Sequence, residues 1–141
     1  MMEYYIDRDT LYSLIFEEVS RVADEAYDDT GASLYDAVII TSKDDATIER
    51  MEDDAIDALV KRTVDIATQS ASLLSFDVPD FKEDLTDATY LEITRYISLN
   101  VCAAWFQSRM PSKVEEYTLR SQAAMDKAVT YLKTIKPPKR A

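Results

Sequence analysis

The stretch that decides the fold is residues 86–110, TDATYLEITRYISLNVCAAWFQSRM. Its apolar residues return every three or four positions, and the main stripe consists of Tyr90, Ile93, Ile97, Val101, Ala104 and Trp105. Four more apolar residues extend this surface around the side: Leu91, Leu99, Cys102 and Phe106. Such spacing is typical of one face of an α-helix. We predict a helix from Thr86 or Asp87 to about Met110, and we expect it to be the most buried helix of the domain.

Two helices are predicted before this one. The first covers about residues 9–28, with Asp9 as its N-cap, and Gly31 follows where a left-handed residue often ends a helix. The second begins within residues 42–45, where several side chains can cap it, and its apolar residues keep helical spacing as far as Leu74. A helix of that length exceeds the globular average and favours a helical bundle.

A fourth helix follows the corner at residues 110–112. Ser112 and Glu115 have the spacing of a capping box at its start. Its apolar stripe is thin and consists mainly of small residues, so we expect its partner helix to lie close. The helix ends at Lys136, because two consecutive prolines stop a helix and keep the chain extended.

Little in the sequence favours β-structure. Residues 34–41, LYDAVIIT, form a brief strand or an extended linker, and residues 76–81 are the one possible partner. One glycine and four prolines are too few for a many-stranded sandwich or barrel. We therefore predict an all-α fold: four main helices in a bundle-like domain of residues 1–135, at most one or two very short strands, and an extended basic tail of residues 136–141.

The composition excludes several kinds of chemistry. The chain has no histidine, which removes the commonest general base and transition-metal ligand. Its single cysteine excludes an intrachain disulfide and a cysteine-based zinc site, and its single glycine excludes a glycine-rich phosphate loop. No apolar run is long enough to cross a membrane. We expect no cofactor, no catalytic site and no enzymatic activity.

An acidic group is the main candidate for metal binding. Its members are Asp44, Asp45, Glu49, Glu52, Asp53, Asp54 and Asp57. Their oxygen atoms suit Ca²⁺ or Mg²⁺, but the loop of an EF-hand is absent. A solvated helix face with acidic residues near the helix N-terminus explains the same pattern without a metal, and we favour that interpretation.

Three residues of the predicted central helix have two possible roles. Cys102 lies on the apolar face and is expected to be a small core residue, not a nucleophile. Trp105 and Phe106 anchor either the core or an interface; the position of Trp105 in the stripe favours the core, and that of Phe106 leaves both open. The chain also has nine tyrosines, a residue enriched at protein interfaces, which mildly favours a binding protein.

Charge is distributed unevenly along the chain. Residues 1–100 hold 24 acidic and eight basic residues, whereas residues 101–141 hold three acidic and eight basic ones. One explanation is a solvated acidic face; the other is electrostatic docking between neighbouring proteins. For docking, the fourth helix and the tail supply the candidate partner-binding residues, which are Tyr131, Lys133, Lys136, Pro137, Pro138, Lys139 and Arg140.

Three segments together resemble a known family. They are VIITSKDDATIERMEDDAIDAL at residues 38–59, YLEITRYISLNVCAAWFQSRMP at residues 90–111, and VEEYTLRSQAAMDKAVTYLKTI at residues 114–135, which leads into the basic proline tail. This arrangement resembles the head–tail connector (adaptor, or head-completion) proteins of tailed bacteriophages. The likeness runs from about residue 42 to the end and is strongest in the last two helices.

The resemblance implies a structural virion protein in the neck of the particle, present in the host cytoplasm during assembly. It implies a homo-oligomeric ring below the portal that bridges capsid to tail, with the C-terminal helix and tail on the portal and neck or tail proteins as further partners. DNA would pass through the channel as cargo, repelled by an acidic lining. The alternative is an acidic DNA mimic that inhibits a nuclease or restriction system, although a DNA mimic has no use for the basic last quarter.

Overall fold

The computed structural model describes residues 1–135. In chain order its elements are β1 (Met2–Tyr5), α1 (Arg8–Asp24), α2 (Tyr35–Val38), α3 (Asp45–Arg62), β2 (Ala67–Ser70), β3 (Leu73–Phe76), α4 (Thr86–Arg109) and α5 (Val114–Leu132). Single 3₁₀ turns precede the last three long helices, at Ser42–Asp44, Glu83–Leu85 and Pro111–Lys113. Helices account for 67% of the structure, which confirms the prediction of a mainly helical protein with four main helices.

Helix α4 is the centre of the core, as the sequence predicts. It spans Thr86–Arg109, and 13 of its residues are buried. Helices α1, α3 and α5 all pack on it. The Tyr96 hydroxyl donates a hydrogen bond to the carbonyl oxygen of Ala55 on α3 at 2.7 Å. From Glu92 to Phe106 only Arg95 is exposed. Because helices cover α4 on several sides, a wide apolar stripe is needed to fill the contacts.

Helix α5 turns back along α4 and makes the most extensive helix pair in the fold. The rings of Phe106 and Tyr117 meet edge to face with centroids 5.1 Å apart, next to the turn that joins the two helices. Further along α5 the buried residues include Ser121, Ala124 and Ala128. These small side chains allow the close approach that the thin stripe predicts.

The prediction that the second long helix continues to Leu74 is wrong. Helix α3 ends at Arg62, and the Thr63 hydroxyl bonds back to the carbonyl oxygen of Leu59 at 2.8 Å. The chain then forms a hairpin of β2 and β3, whose loop holds Ala71 at a φ of 51°. The apolar spacing of residues 64–76 also fits the alternation of a strand, and pairing with β1 stabilises the strand conformation.

The three strands form an antiparallel sheet in the order β1-β3-β2. Met2 pairs with Phe76 and Tyr4 with Leu74, and these four side chains are buried. The Tyr4 hydroxyl lies 2.9 Å from the hydroxyl oxygen of Thr94 on α4, which ties the sheet to the central helix. The expectation of at most one or two short strands is therefore wrong, because the N-terminal segment supplies a strand that the sequence analysis did not foresee.

Both stretches proposed as strands are also placed differently. Residues 34–41 contain the one-turn helix α2, and Val38 and Ile40 are buried against the core. Of residues 76–81, only Phe76 belongs to a strand, and Phe81 makes an isolated bridge with Ile135. The apolar residues of both stretches pack directly into the core, so they are buried without strand pairing.

The prediction that Asp9 is the N-cap of α1 is wrong, because the N-cap lies two residues earlier. Asp7 is the N-cap, with its carboxylate accepting from the backbone N–H of Thr10 at 3.2 Å, and Asp9 lies in the first turn. The helix ends at Asp24, and Gly31 does not cap it. Gly31 has a φ of 84° in a separate turn that follows.

The expected capping box at the start of α5 is wrong. Helix α5 begins at Val114 after the 3₁₀ turn, and no side chain caps either element. A capping box forms instead before α3, where Asp44 accepts from the backbone N–H of Thr41 at 2.9 Å. Within residues 1–135, no helix is both long and apolar enough to span a membrane.

Candidate functional site

A groove of about 480 Å³ lies between α1 and α3. We call it the α1–α3 groove; its defining residues are Arg8, Asp9 and Tyr12 from α1 and Asp45, Glu49 and Glu52 from α3. Both helices rest on α4, and the space between them is left open. The groove is lined by carboxylates, one guanidinium group and one aromatic ring, so its surface suits a ligand that is cationic and partly apolar.

Arg8 joins the two walls of the groove. Its Nη1 lies 3.1 Å from Glu52 Oε1, and its Nη2 lies 2.7 Å from Asp53 Oδ1. Arg8 is the first residue of α1, and the two carboxylates are neighbours on α3, so this contact fixes the start of one helix against the middle of the other.

Glu52 is the most unusual residue of the groove. It is only 3% exposed, and its Oε2 atom is buried without a hydrogen-bond partner in the part of the chain that the structure describes. Burial raises the pKa of Glu52, although the Arg8 guanidinium acts in the opposite direction. An unpaired buried acceptor is costly, and a donor reaching Oε2 would remove that cost.

Two aromatic side chains lie next to each other on α1, with Tyr12 lining the groove and Phe16 beside it. The rings of Tyr12 and Phe16, one helical turn apart, stack with centroids 6.2 Å apart and an interplanar angle of 16°. Tyr12 is half-buried, and Phe16 is 39% exposed. Burial and the nearby charges of Asp45 and Asp44 raise the pKa of Tyr12. The pair gives the helix an aromatic surface beside the carboxylates.

The acidic group of the sequence analysis is divided among several roles. Asp44 caps the turn before α3, Asp53 pairs with Arg8, and Asp54 and Asp57 are exposed. Among the described residues, no three side chains of histidine, cysteine, aspartate or glutamate are arranged to hold a metal ion. The structure therefore gives no support to the metal-site alternative.

A second polar cluster connects α1 to α5. Glu18 Oε2 accepts hydrogen bonds from the Tyr117 hydroxyl at 2.7 Å and from Arg21 Nη2 at 2.6 Å, and Arg120 lies 3.8 Å away. Partial burial opposes ionisation of Glu18, but the bonds from Tyr117 and Arg21 hold its pKa below the usual value. Burial raises the pKa of Tyr117. These groups satisfy one another, so we assign the cluster a structural role.

A second depression, of about 430 Å³, lies where α3, α4 and α5 meet. Arg62 crosses it, with Nη2 2.9 Å from Asp126 Oδ1 and Nη1 3.6 Å from the sulfur of Met125. Tyr96 and Asn100 of α4 also line it. The charged groups of this depression, Arg62 and Asp126, already pair with each other across α3 and α5. We therefore assign it to the packing of the helices and not to ligand binding.

The three residues with two possible roles all belong to the core. Cys102 is fully buried, and burial raises the pKa of its thiol to about 12, so it is a protonated core residue as expected. Trp105 is buried and donates from Nε1 to the carbonyl oxygen of Val38 at 2.7 Å. Phe106, for which the sequence left both roles open, is buried as well.

The predicted partner-binding residues are described only in part. Tyr131 is half-buried on the last turn of α5, and Lys133 is exposed just beyond it. Lys136, Pro137, Pro138, Lys139 and Arg140 lie outside the described residues. The α1–α3 groove itself was not predicted. Two features of the sequence could have indicated it. Arg8 is an isolated cation in an acidic segment, and Tyr12 and Phe16 are an aromatic pair outside the buried stripe of α1.

Comparison with known proteins gives no relative: no protein-family model, no curated protein and no solved structure matches the chain.

Proposed function

We propose that this chain is a structural, non-enzymatic protein of a tailed-bacteriophage particle, a head–tail connector that forms a homo-oligomeric ring below the portal and bridges capsid to tail. The proposal begins from the resemblance of residues 42 to 135 and of the basic tail to that family. It places the protein in the neck of the virion and, during assembly, in the host cytoplasm, with portal and neck or tail proteins as partners.

The single observation that supports it best is the α1–α3 groove and its charge relative to the C-terminus. The groove presents Asp9, Asp45 and Glu49 beside the aromatic rings of Tyr12 and Phe16, whereas the last 41 residues carry a net positive charge. A heterologous interface joins two different surfaces of identical subunits, and repeated around an axis it closes a ring. Opposite charges at opposite ends of the chain are what such an interface needs.

The buried reactive groups are consistent with a structural role. Cys102 is enclosed in the core, and the carboxylates of Glu18 and Glu52 are both engaged by arginine side chains. The acidic surface of residues 1–100 would repel DNA in a ring channel by like charge, so DNA would pass as cargo.

The test is deletion of residues 136–141. We expect the helix content measured by circular dichroism to stay unchanged, because a segment containing two consecutive prolines contributes nothing to a helix. We also expect less of the protein in purified particles. A truncated protein that enters particles as well as the full-length chain would refute the role of the C-terminal arm, and absence of the full-length protein from particles would refute the connector proposal.

The second candidate is a DNA mimic that inhibits a nuclease or restriction system, and it is favoured by the 24 acidic residues among the first 100. The same chain immobilised in host lysate separates the two proposals. Capture of portal or neck proteins supports the connector, and capture of a nuclease or another DNA-binding protein supports the mimic.

A further inference from the structure

The α1–α3 groove combines the two surfaces that recognise a basic proline-containing peptide. Tyr12 lines the groove and Phe16 lies beside it, one turn further along α1, so the two rings form the aromatic part; grooves lined by aromatic rings bind proline-rich segments in the polyproline II conformation. Asp45 and Glu49 form the acidic part, one turn apart on α3 and facing Tyr12 across the groove. A ligand that offers prolines beside lysine or arginine matches both parts together.

The chain carries one such segment. Residues 136–140 read KPPKR, with two prolines flanked by three cationic side chains. In polyproline II geometry five residues extend over about 15 Å. The aromatic and acidic part of α1, from Asp9 to Phe16, is about 10 Å long at the rise of an α-helix. The segment is long enough to place its prolines on the rings and its cations beside the carboxylates.

We propose that the α1–α3 groove of one copy binds residues 136–140 of a second copy. The prolines lie on Tyr12 and Phe16, and the basic side chains pair with Asp45 and Glu49. The inference deepens the proposed function and rests on it for the choice of a second copy, because a ring of identical subunits requires a head-to-tail contact of this kind.

The first experiment measures binding of a fluorescein-labelled peptide, KTIKPPKRA (residues 133–141), by fluorescence anisotropy. The receptor is the full-length chain with Lys136→Glu, Lys139→Glu and Arg140→Glu, so that its own tail does not compete. We expect saturable binding that weakens as salt is added. The comparison peptide KTIKAAKRA keeps every charge and lacks the prolines, and we expect it to bind several-fold more weakly.

Groove variants locate the binding site. Asp45→Asn and Glu49→Gln should each weaken the labelled peptide by about two- to fivefold, the range of exposed ion pairs. Tyr12→Ala should weaken it by roughly fivefold or more, through loss of the ring surface. The matched control is Asp54→Asn, which removes the same charge from an exposed site on α3 outside the groove and should leave affinity within about twofold. Equal affinity for the two peptides, or equal effects of Asp45→Asn and Asp54→Asn, would overturn the proposal.

The second experiment tests whether the contact joins two copies, by sedimentation of full-length chains. The wild type should self-associate with rising concentration. The tail-reversed chain described above, and a groove-reversed chain with Asp45→Lys and Glu49→Lys, should each remain monomeric. Mixed in equal amounts, the two should associate again, because each groove then meets a tail of opposite charge. Asp54→Lys with Asp57→Lys is the control and should associate like the wild type.

The outcomes separate this inference from the proposed function. Failure of the mixture to associate, or self-association of either reversed chain alone, would overturn the contact between copies. Peptide binding with reciprocal rescue would support the contact even if the protein proved absent from phage particles, a result that would refute only the connector role. A protein found in particles whose groove does not bind the peptide would refute only the inference.

Discussion

Replacing Trp105 with alanine should destabilise the protein by several kcal/mol. Trp105 is 1% exposed at the inner face of α4 and donates its indole N–H to the carbonyl oxygen of Val38. On its outer side the Arg109 guanidinium carbon lies 3.5 Å from the ring centroid. Truncation of a buried tryptophan to alanine costs about 3–5 kcal/mol, and the carbonyl oxygen left without a donor adds about 1–3 kcal/mol where it stays dry.

The two contributions can be separated with Trp105→Phe. Phenylalanine keeps most of the ring volume and loses the donor, so this variant should cost about 1–3 kcal/mol. For a domain of this size, each kcal/mol lowers the Tm by about 2–8 °C, so Trp105→Ala should melt at least 6 °C, and roughly 10–20 °C, below the wild type. Urea unfolding followed by far-ultraviolet circular dichroism measures both variants without needing tryptophan fluorescence.

The control is Leu119→Ala on α5, where the side chain is 58% exposed and the change should stay within about 0.5 kcal/mol. In the folded wild type, the single tryptophan should emit at the short wavelengths typical of an apolar environment and resist quenching by iodide. A Trp105→Ala variant with unchanged stability, together with a freely quenched wild-type tryptophan, would refute the placement of this residue in the core.

Two further predictions follow from buried titratable groups. The raised pKa of Glu52 means that its contribution to stability is fully present below the unfolded pKa and is lost as the pH rises through the folded pKa; Glu52→Gln should therefore gain stability relative to the wild type as the pH rises above the ordinary pKa of 4.5, and a difference in unfolding free energy that does not change with pH would contradict this. The Cys102 thiol, with a pKa of about 12 in the core, should react with a thiol reagent at pH 8 only as fast as the protein unfolds; rapid labelling of the native chain would contradict its burial, and full labelling in urea is the positive control.

The sequence predicts correctly those parts of the fold where the local pattern of residues favours a single type of secondary structure. Helix α4 has an apolar stripe of unbroken helical period with no glycine or proline inside it, so its bounds and its central position follow from pattern. The segment after Arg62 carries two compatible signals, since its apolar spacing suits a helix and its β-branched residues suit a strand. The choice between them depends on Met2 and Tyr4, which pair with β3 from more than 60 residues away. The spacing of apolar residues within a short segment contains no information about a strand partner so far away in the sequence.

The α1–α3 groove was beyond sequence reasoning for a related reason. Asp45 and Glu49 are visible as an acidic pair, and Tyr12 is visible as one of nine tyrosines. That they face one another depends on the positions at which α1 and α3 cross α4, which are set by packing. The burial of Glu52 within an acidic run was equally hidden, because its neighbours Asp53 and Asp54 are exposed and of the same chemical type.

The groove also connects the stability of one subunit to its assembly. Across it, carboxylates of α1 and α3 face one another, and Arg8 is the cation that pairs with α3 at its inner end. Mutual repulsion of these carboxylates raises the free energy of the isolated subunit, and salt relieves that repulsion by screening it. In the proposed contact, Lys136, Lys139 and Arg140 of a second copy relieve the same repulsion by pairing. Salt therefore has opposite effects on the two states: it stabilises the free subunit and weakens the contact between copies. The charges of the groove are therefore unbalanced in the free subunit and balanced in the assembled state, which favours assembly.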